Sequence, residues 1–417
     1  MNLVFRSSRH SATRVLLAVL GAAACQNPPG RTCVDSPFTV QDSAGVQIVT
    51  TGECDARRSL GWVVEALPEL ELGGEGRGGA SEFFRIRGAR QLANGMLAVL
   101  DGGAREARFF DGQGGLVFSL GREGRGPGEF IDPMLFGHHP LVQSPDSQGI
   151  LVFDRRLRRL TWASTDGSLQ VVSPVFSADV GRVVGAVGGR LLARRFARPG
   201  MVGVLGVHAD PGPEAFLLVD PGTGEVRVVA EVAVPGSFDH FFDGMGRTEF
   251  LPFEVPVRNA VGRDRFYVVA EKRPEVWEFG EEGELRRLLR VDVRLRVATR
   301  KDLEAFTQVR VRTTTSPEAA AHWGAIYRDT PWKREIPTFD ELMVDDEGFV
   351  WARFYSIDPG VSRQWVVFGH DGRALGTVEV PAELRVEQFG DGFVLGLWSD
   401  SLGVEYVRRH ALLRHAP

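Results

Sequence analysis

One pattern recurs along almost the whole chain, and it limits the fold more than any other feature of the sequence. An apolar strand, a tight turn rich in Gly and Asp, and a second strand occur in six copies, whose turns lie at residues 112–114, 166–167, 221–224, 281–283 and 371–372, with a weaker copy at residues 404–413. A further apolar run precedes each copy. Many of these strands are continuously apolar, which indicates sheets that are covered on both faces. Sheets packed face to face around an axis, as in the blades of a β-propeller, have this property.

A second, longer repeat predicts how such a ring closes. The Gly-rich stretch at residues 72–83 matches the stretch at residues 120–130. The later copy follows the outermost strand of the first blade, so the earlier copy is expected to follow an outermost strand as well. That strand, residues 62–72, has no blade before it and must complete the last blade, which ends near Leu413. We therefore predict an all-β fold: a six-bladed β-propeller with four-stranded antiparallel blades, whose N-terminal strand closes the last blade and removes open sheet edges.

The beginning of the chain has the features of an export signal. The first 24 residues contain three Arg and no Asp or Glu, and an apolar run at residues 15–24, too short to span a membrane, leads into Cys25. Removing the three Arg changes the net charge from -5 to about -8, which argues against a nucleic-acid partner. We predict a signal peptide at residues 1–24, an N-terminal tether and extension at residues 25–60, and the propeller at residues 61–417.

The three cysteines leave two types of signal open. The sequence Ala-Ala-Cys ending at Cys25 is similar to a bacterial lipobox, in which this cysteine becomes the lipidated first residue, although Ala22 stands where such signals usually have Leu. If Cys25 is acylated, Cys33 and Cys54 remain as a disulfide pair for an oxidising envelope, whereas ordinary cleavage leaves an odd thiol. A zinc site is the weaker alternative, because closely spaced Cys pairs are missing. We expect a lipid-anchored protein of the cell envelope on the periplasmic or extracellular side of a membrane.

Two Gly-containing runs carry a resemblance to a known family. Residues 121–130 and residues 40–46 resemble the corresponding runs of exported bacterial six-bladed β-propellers, predicted lipoproteins that are similar to NHL-repeat propellers. The resemblance extends in pattern over about residues 39–415. It implies the same fold and carries over no catalytic residue, since many such proteins have no assigned activity. The chain departs from the family in the insertion after blade four and in the weak sixth hairpin.

Two stretches interrupt the repeat, at about residues 231–256 and 293–337. In a propeller both lie in crossings from one blade to the next, so both emerge on the same face. The second stretch is predicted to be helical, because a capping box at Thr299 and a Ser-Pro pair at Ser316 precede apolar residues at one-turn spacing. Such helices form either a lid over the axial pocket or a plug in the channel mouth. Loops on a rigid scaffold commonly bind ligands, so this face is our functional candidate.

The Gly-rich loops offer candidate ligand-binding residues. Arg77, Arg122 and Arg125 accompany successive glycines whose backbone N–H groups could hold an anion, with Arg supplying a bidentate charge. A strand follows each loop, however, and such loops are strong anion signals only before a helix. In the alternative interpretation, which we favour, the Arg and Glu side chains pair across neighbouring blades and the glycines permit tight crossings.

Candidate catalytic residues are few. Asp239, His240 and Asp243 cluster in the first interruption, and a His with two carboxylates can bind a divalent metal or act in acid–base chemistry. His240 is also a candidate ligand-binding residue. A short cluster of this kind is more often solvated surface, and the sequence contains no HExxH, GxSxG, CxxC or Walker pattern.

Two functional hypotheses follow from this reading. The first, which the sequence favours, is a non-enzymatic propeller that binds an envelope protein or a small-molecule ligand and needs no cofactor. The second is a metal-dependent hydrolase or lyase of the lactonase or NHL-lyase type, with its metal ligands at the propeller axis. The second hypothesis requires Asp, Glu, Asn or His side chains from several blades to converge near that axis, and the first does not.

Overall fold

The structure is a computed structural model. It describes residues 38–74, 82–136, 149–171, 180–195, 207–208, 212–270, 273–314, 316–332, 335–358, 360 and 363–414. All of these belong to the second of two units of the chain, Met1–Val34 and Asp35–Pro417. The predicted signal peptide, Cys25, Cys33 and Arg77 lie outside the described residues. No described helix is long and apolar enough to cross a membrane.

The described chain begins with elements that lie along the outer edges of later blades. They are β1 (Thr39–Ser43), β2 (Val46–Gly52), α1 (Glu53–Arg57) and β3 (Val63–Gly73). The blades then follow in chain order. Blade one consists of β4 (Ile86–Gln91), β5 (Leu97–Asp101), β6 (Glu106–Phe110) and β7 (Leu116–Leu120). Blade two consists of β8 (Pro133–Phe136), β9 (Gly149–Asp154), β10 (Arg159–Ser164) and β11 (Leu169–Val171).

The remaining blades repeat this arrangement, with the first strand of each blade innermost. Blade three consists of β12 (Arg182–Val187), β13 (Arg190–Arg195), β15 (Pro213–Val219) and β16 (Val226–Ala233). Blade four contains β19 (Arg258–Val261), β20 (Arg265–Ala270), β21 (Glu275–Gly280) and β22 (Leu285–Asp292). Blade five consists of β23 (Phe339–Val344), β24 (Val350–Phe354), β25 (Arg363–Phe368) and β26 (Ala374–Val380). Blade six contains β27 (Arg385–Gly390), β28 (Phe393–Ser399), β29 (Glu405–Leu413) and, as its outermost strand, β3.

The core lies between neighbouring blades, because each blade is apolar on both faces. Trp351 of blade five stacks on Phe389 of blade six with ring centroids 3.9 Å apart. The ring centroids of Phe216 in blade three and Phe266 in blade four lie 6.2 Å apart. Buried aromatic and aliphatic side chains of this kind follow from the continuously apolar strands of the sequence. The predicted six-bladed fold is confirmed.

The predicted ring closure is confirmed as well. β3 pairs antiparallel with β29, and Leu72 lies opposite Val407. Leu70 and Leu72 are buried in a cluster that includes Leu97 of blade one. The closing strand therefore joins the two ends of the propeller by backbone hydrogen bonds and packs against both adjacent blades.

The residues before β3 fasten further blades from outside. β2 pairs in parallel with β22, and β1 pairs with β2, so the sheet of blade four gains two strands. The backbone N–H of Leu60 then donates to the carbonyl of Thr377 (2.9 Å), and the N–H of Thr377 donates to the carbonyl of Arg58 (2.7 Å). The stretch that the sequence assigned to a tether is, from Thr39 onward, an outer belt on blades four, five and six.

The insertions form a small group of elements of their own. Three strands pair in the order β14 (Val207–His208), β17 (Ser237–Phe242) and β18 (Met245–Phe250), and the second interruption contains α2 (Arg300–Arg312) and α3 (Pro317–Asp329). The predicted capping box is present, since the Thr299 side chain accepts from the backbone of Asp302 and the Asp302 side chain accepts from the backbone of Thr299. Ser316 caps α3 as predicted. The helical insertion after blade four is confirmed.

Candidate functional site

The insertions that the structure describes lie on one face of the propeller, which we call the insertion face. In each blade the innermost strand begins after a crossing from the preceding blade, and the second and third strands are joined at the same end. The β17–β18 hairpin lies in the crossing from blade three to blade four, and α2 and α3 lie in the crossing from blade four to blade five. Strand β14 lies in the loop between the second and third strands of blade three. The opposite face carries tight turns in the described part of the chain.

The hairpin and the helix pair share a compact apolar core. Phe238 of β17 packs with Trp323 and Tyr327 of α3, and all three side chains are buried. Arg310 of α2 lies over the Trp323 ring at 4.4 Å and pairs with Glu249 of β18 at 3.3 Å. The two insertions therefore pack together as a single element. The structure is consistent with both the lid and the plug that the sequence left open.

A pair of histidines joins this element internally. His240 of β17 is only 4 % exposed, and its Nδ1 lies 2.9 Å from Nε2 of His322 in α3. The buried Nε2 of His240 has no hydrogen-bond partner among the described residues. Burial, followed by the charge of His322, lowers the pKa of His240. The neutral imidazole is therefore favoured at this contact.

The side chains of the acidic residues next to His240 in sequence do not point the same way as the His240 side chain. Asp239 and His240 are adjacent in β17, so their side chains point to opposite faces of the hairpin. Asp239 accepts a hydrogen bond from the Thr248 hydroxyl at 2.6 Å, and Asp243 lies in the hairpin turn with a φ of 54°. Among the described residues, no group of three or more His, Cys, Asp or Glu side chains is placed to hold a metal ion. No strand was predicted in the first interruption, so the sequence could not show that Asp239 and His240 point to opposite faces.

The Gly-rich loop after blade one supplies its own anion. Glu129 accepts from Nε of Arg122 at 2.9 Å and from the backbone N–H of Gly126 at 2.6 Å. These interactions, with that of Gly126 the largest, lower the pKa of Glu129. Gly124 has a φ of 151°, and a side chain there would collide with the Glu129 carboxylate. The carboxylate thus lies where a bound anion would lie, and the Arg125 side chain is exposed.

A second group of arginines surrounds the axis at the insertion face. The innermost strands of blades three, four and six each begin with an arginine, Arg182, Arg258 and Arg385. Because innermost strands begin at the insertion face, these three side chains originate at one end of the axial channel. We call this end the axial mouth, and define it by the residues Arg182, Arg258, Asp340, Glu341, Arg363, Arg385 and Glu387.

Some charges near the axial mouth neutralise one another. Arg353 of β24 pairs with Asp340 at 2.6 Å and with Glu341 at 3.3 Å. In blade three, the Arg194 guanidinium contacts both carboxylate oxygens of Glu214, at 2.7 and 2.6 Å. These pairs engage the half-buried carboxylates of Asp340 and Glu341 and the buried carboxylate of Glu214.

Other cations of the axial mouth have no carboxylate partner. Arg182 and Arg363 form no ion pair with any described residue, and Arg258 donates to the backbone carbonyl of Asp340 at 2.8 Å. Arg363, at the beginning of the third strand of blade five, donates to the carbonyl of Leu384 at 3.2 Å, and its Nε is buried without a partner among the described residues. Burial, and then repulsion from Arg353, lowers the pKa of Arg363. Burial, and then repulsion from neighbouring arginines, likewise lowers the pKa of Arg182.

One carboxylate of the axial mouth has an unusual protonation equilibrium. Glu387 accepts a hydrogen bond from Nε of Arg385 at 3.1 Å, and its side chain is 21 % exposed. Burial raises the pKa of Glu387 to about 7, and the charge of Glu341 acts in the same direction, against the opposing effect of Arg385. With this pKa the Glu387 carboxyl is partly protonated near neutral pH, whereas the carboxylate of an ordinary ion pair stays charged.

The far end of the innermost strands is polar and its charged side chains form ion pairs, although Nε of Arg90 is also buried without a partner among the described residues. Asp346 pairs with Arg90 at 3.1 Å and accepts from Nε2 of Gln388 at 2.8 Å. The Gln388 carbonyl accepts from the backbone N–H of Gln91 at 2.9 Å. This network links blades one, five and six, and we interpret it as structural. The contrast with the opposite end singles out the axial mouth as the candidate site.

The residues of the axial mouth were not proposed from the sequence. They are far apart along the chain, and single arginines at strand beginnings resemble ordinary surface residues. The usable signal is positional: once the blades are superposed in sequence, Arg182, Arg258 and Arg385 occupy the same strand position. Arg155, in the loop after the second strand of blade two, pairs with Asp132, and Asp154 accepts backbone N–H groups.

The cysteines bear on the export prediction. Cys54, in α1, forms a disulfide bond whose partner lies outside the described residues. Pairing with Cys33 and lipidation of Cys25 stay predictions.

Comparisons with known proteins give structural similarities only. No family model and no curated protein matches the chain. A Bacteroides fragilis protein assigned as exported is 11 % identical, with 88 % of this chain and 99 % of that chain covered and a TM-score of 0.45. A member of the DUF4221 family from Bacteroides vulgatus is 12 % identical, with coverages of 84 % and 98 % and a TM-score of 0.44. Virginiamycin B lyase from Staphylococcus aureus is 9 % identical, with coverages of 84 % and 100 % and a TM-score of 0.39. These values carry no information about function.

Proposed function

We propose that this protein is an exported, lipid-anchored β-propeller that binds a small-molecule ligand at the insertion face of its axial channel. The observation that carries the proposal is that the insertions and the incompletely paired axial mouth lie on the same face. Polar groups in a protein interior are normally paired, so cations left without partners next to a built-up loop region indicate a place for a ligand.

The architecture suits such a role. The blades form a rigid support, while the hairpin and the helix pair vary the surface above it. The outer belt and the closing strand hold the blades in register, so the groups around the axis keep fixed positions. Preorganised groups of this kind bind without an ordering cost in the protein. An envelope protein as partner, and a metal-dependent hydrolase or lyase, are the alternatives that the experiment must separate.

The test is a thermal-shift screen of the purified mature protein against neutral, cationic and anionic small molecules, with elemental analysis of the same preparation. We expect saturable stabilisation by one class of compound, as ligand linkage requires. The stabilisation should be weakened by Arg182→Gln at the axial mouth and kept by Arg286→Gln. Arg286 pairs with Glu284 on the opposite face, so it is a charge-matched control.

Two results would reject the proposal. The first is that the axial mouth shows no specific binding: either no class of compound stabilises the wild type, or Arg182→Gln and Arg286→Gln lose the stabilisation equally. Stoichiometric bound metal would replace the binding platform by the metal-dependent alternative. Localisation is tested separately, by mass spectrometry of the mature N-terminus.

A further inference from the structure

We infer that the β17–β18 hairpin and the helix pair separate on acidification, through the contact between His240 and His322. We call the hairpin, α2 and α3 together the insertion element. The separation goes beyond the proposed function, because it concerns how the two insertions are held together and not what binds at the axial mouth. The contact acts as a pH switch between segments that are inserted into different crossings of the propeller.

The contact between the two histidines requires one donor and one acceptor. Nδ1 of His240 lies 2.9 Å from Nε2 of His322, with the ring centroids 4.9 Å apart. At this distance one nitrogen carries a hydrogen atom and the other presents a lone pair. A protonated imidazole has a hydrogen atom on both nitrogens and no lone pair. The contact therefore cannot form when both rings are charged, whichever tautomer each ring adopts when neutral.

The surroundings of His240 disfavour its charged form. Its ring centroid lies 5.6 Å from that of Phe238 and 5.0 Å from that of Trp323, and its buried Nε2 has no hydrogen-bond partner among the described residues. A neutral ring that donates from Nδ1 leaves only a lone pair at Nε2. A charged ring leaves an N–H there without an acceptor, which is costly in a protein interior. Burial, followed by the charge of His322, accordingly lowers the pKa of His240.

The charged groups that face the histidine pair do not compensate a second proton. Arg247 of β18 and Arg310 of α2 oppose a charge on His240, and Glu249 of β18 favours it. Glu249, however, already pairs with Arg310 at 3.3 Å. Asp239 lies on the opposite face of the hairpin. Among these described groups, no carboxylate remains to neutralise a doubly charged pair.

Acid therefore weakens the contact. A histidine whose pKa is lower in the folded than in the unfolded state binds fewer protons when folded. The stabilising contribution of His240 is complete above its ordinary pKa of 6.5 and is lost as the pH falls below that value. The separated state, in which both rings reach water, takes up the protons that the contact excludes.

Helix α2 has a second attachment, which does not depend on a histidine. Leu303 of α2 is buried in an apolar cluster against which Tyr355, next to the end of β24, packs. Arg312 of α2 also pairs with Asp358 at 2.9 Å. The hairpin, in contrast, pairs with β14 over the short stretch Val207–His208. We therefore expect acid to free the hairpin from α3 while α2 stays on blade five.

The test is hydrogen exchange of the mature protein, measured by mass spectrometry at about pH 7.5 and about pH 5 and corrected for the intrinsic pH dependence of exchange. We expect the protection of the amides of β17, β18 and α3 to fall by about tenfold or more at the lower pH, with little change in β23–β26. His240→Leu keeps an apolar side chain with no group to charge, so its protection should differ by less than about twofold between the two pH values. His370→Gln is the matched control and should respond as the wild type does, because His370 packs against Phe349 in blade five.

Each outcome decides the matter. A loss of protection that is confined to the insertion element and absent from His240→Leu supports the inference. Unchanged protection in the wild type, an equal loss in His240→Leu, or a loss spread evenly over the blades overturns it. If His240→Leu fails to fold, His322→Gln takes its place, because glutamine forms hydrogen bonds but stays neutral, and a full pH response in that variant overturns the inference. None of these measurements involves a ligand, so their failure leaves the proposed function as it stands.

Discussion

Replacing Glu387 by Gln should remove one contribution to the pH dependence of the free energy of unfolding. Glu387 lies in the axial mouth beside Arg385, and burial raises its pKa from the ordinary 4.5 to about 7. The folded protein therefore keeps a proton on this carboxyl at pH values where the unfolded chain has lost it. Stability from this group is complete below about pH 4.5 and is lost as the pH rises through about 7. Glutamine is neutral in both states and removes this contribution.

The size of the effect follows from the shift. One pKa unit corresponds to about 1.4 kcal/mol, so a rise from 4.5 to about 7 corresponds to at most roughly 3.5 kcal/mol. The side chain is 21 % exposed, and solvent screening reduces the value. We expect Glu387→Gln to gain about 1 to 3 kcal/mol in free energy of unfolding relative to the wild type between about pH 5 and about pH 8.

The assay is urea unfolding of both proteins at several pH values across this range. Glu123→Gln is the matched control, because Glu123 is 71 % exposed and pairs with Arg105 outside the axial mouth. Its unfolding free energy should differ from that of the wild type by an amount that hardly changes with pH. Parallel pH curves for the wild type and Glu387→Gln would refute the reasoning, since they would mean that Glu387 is as well solvated when folded as when unfolded.

Three further predictions concern closure, the insertions and export. Leu72→Ala should lower the free energy of unfolding by about 3 kcal/mol, because the side chain is fully buried in the closing strand. Leu67→Ala in the same strand, where Leu67 is 82 % exposed, should change it by less than about 0.5 kcal/mol in the same urea assay. Because the pKa of His240 is lowered, wild-type stability should fall as the pH drops below about 6.5, and His240→Leu should lack this fall in thermal unfolding. Cys25→Ser should move the protein from the membrane fraction to the supernatant of fractionated cells, whereas an ordinary signal peptide predicts no change.

Much of the fold is local in origin, and the sequence predicts that part. Continuous apolar runs separated by Gly and Asp turns are enough to define blades, because each strand pairs with its neighbour in the chain. The closing strand was also predictable, since the Gly-rich segment that follows it, residues 72–83, is repeated after β7 at residues 120–130. The helix beginnings at Thr299 and Ser316 were predictable from cap residues, whose side chains bond to their own backbone neighbourhood.

Pairing between distant segments was not predictable from one sequence. Ile48 lies opposite Leu288 in the parallel pair of β2 and β22, and nothing in either local pattern specifies the other. The direction of side chains in the first interruption was also hidden. Asp239 and His240 look like a cluster in sequence, but strand geometry separates them and brings His240 to His322 instead.

The axial mouth shows why composition could not locate the site. Arg122 and Arg182 are both exposed arginines on the insertion face, and the sequence drew attention to the first because glycines surround it. In the structure Arg122 pairs with Glu129, seven residues later, whereas burial, and then the charges of Arg155 and Arg194, lower the pKa of Arg182 against the opposing effect of Glu214 and Asp132. A charge that its own loop compensates is structural, and a charge that the folded chain leaves uncompensated is available to a ligand. That difference exists only after the blades are assembled, because the neighbours of Arg182 are brought to it by the ring and not by the sequence.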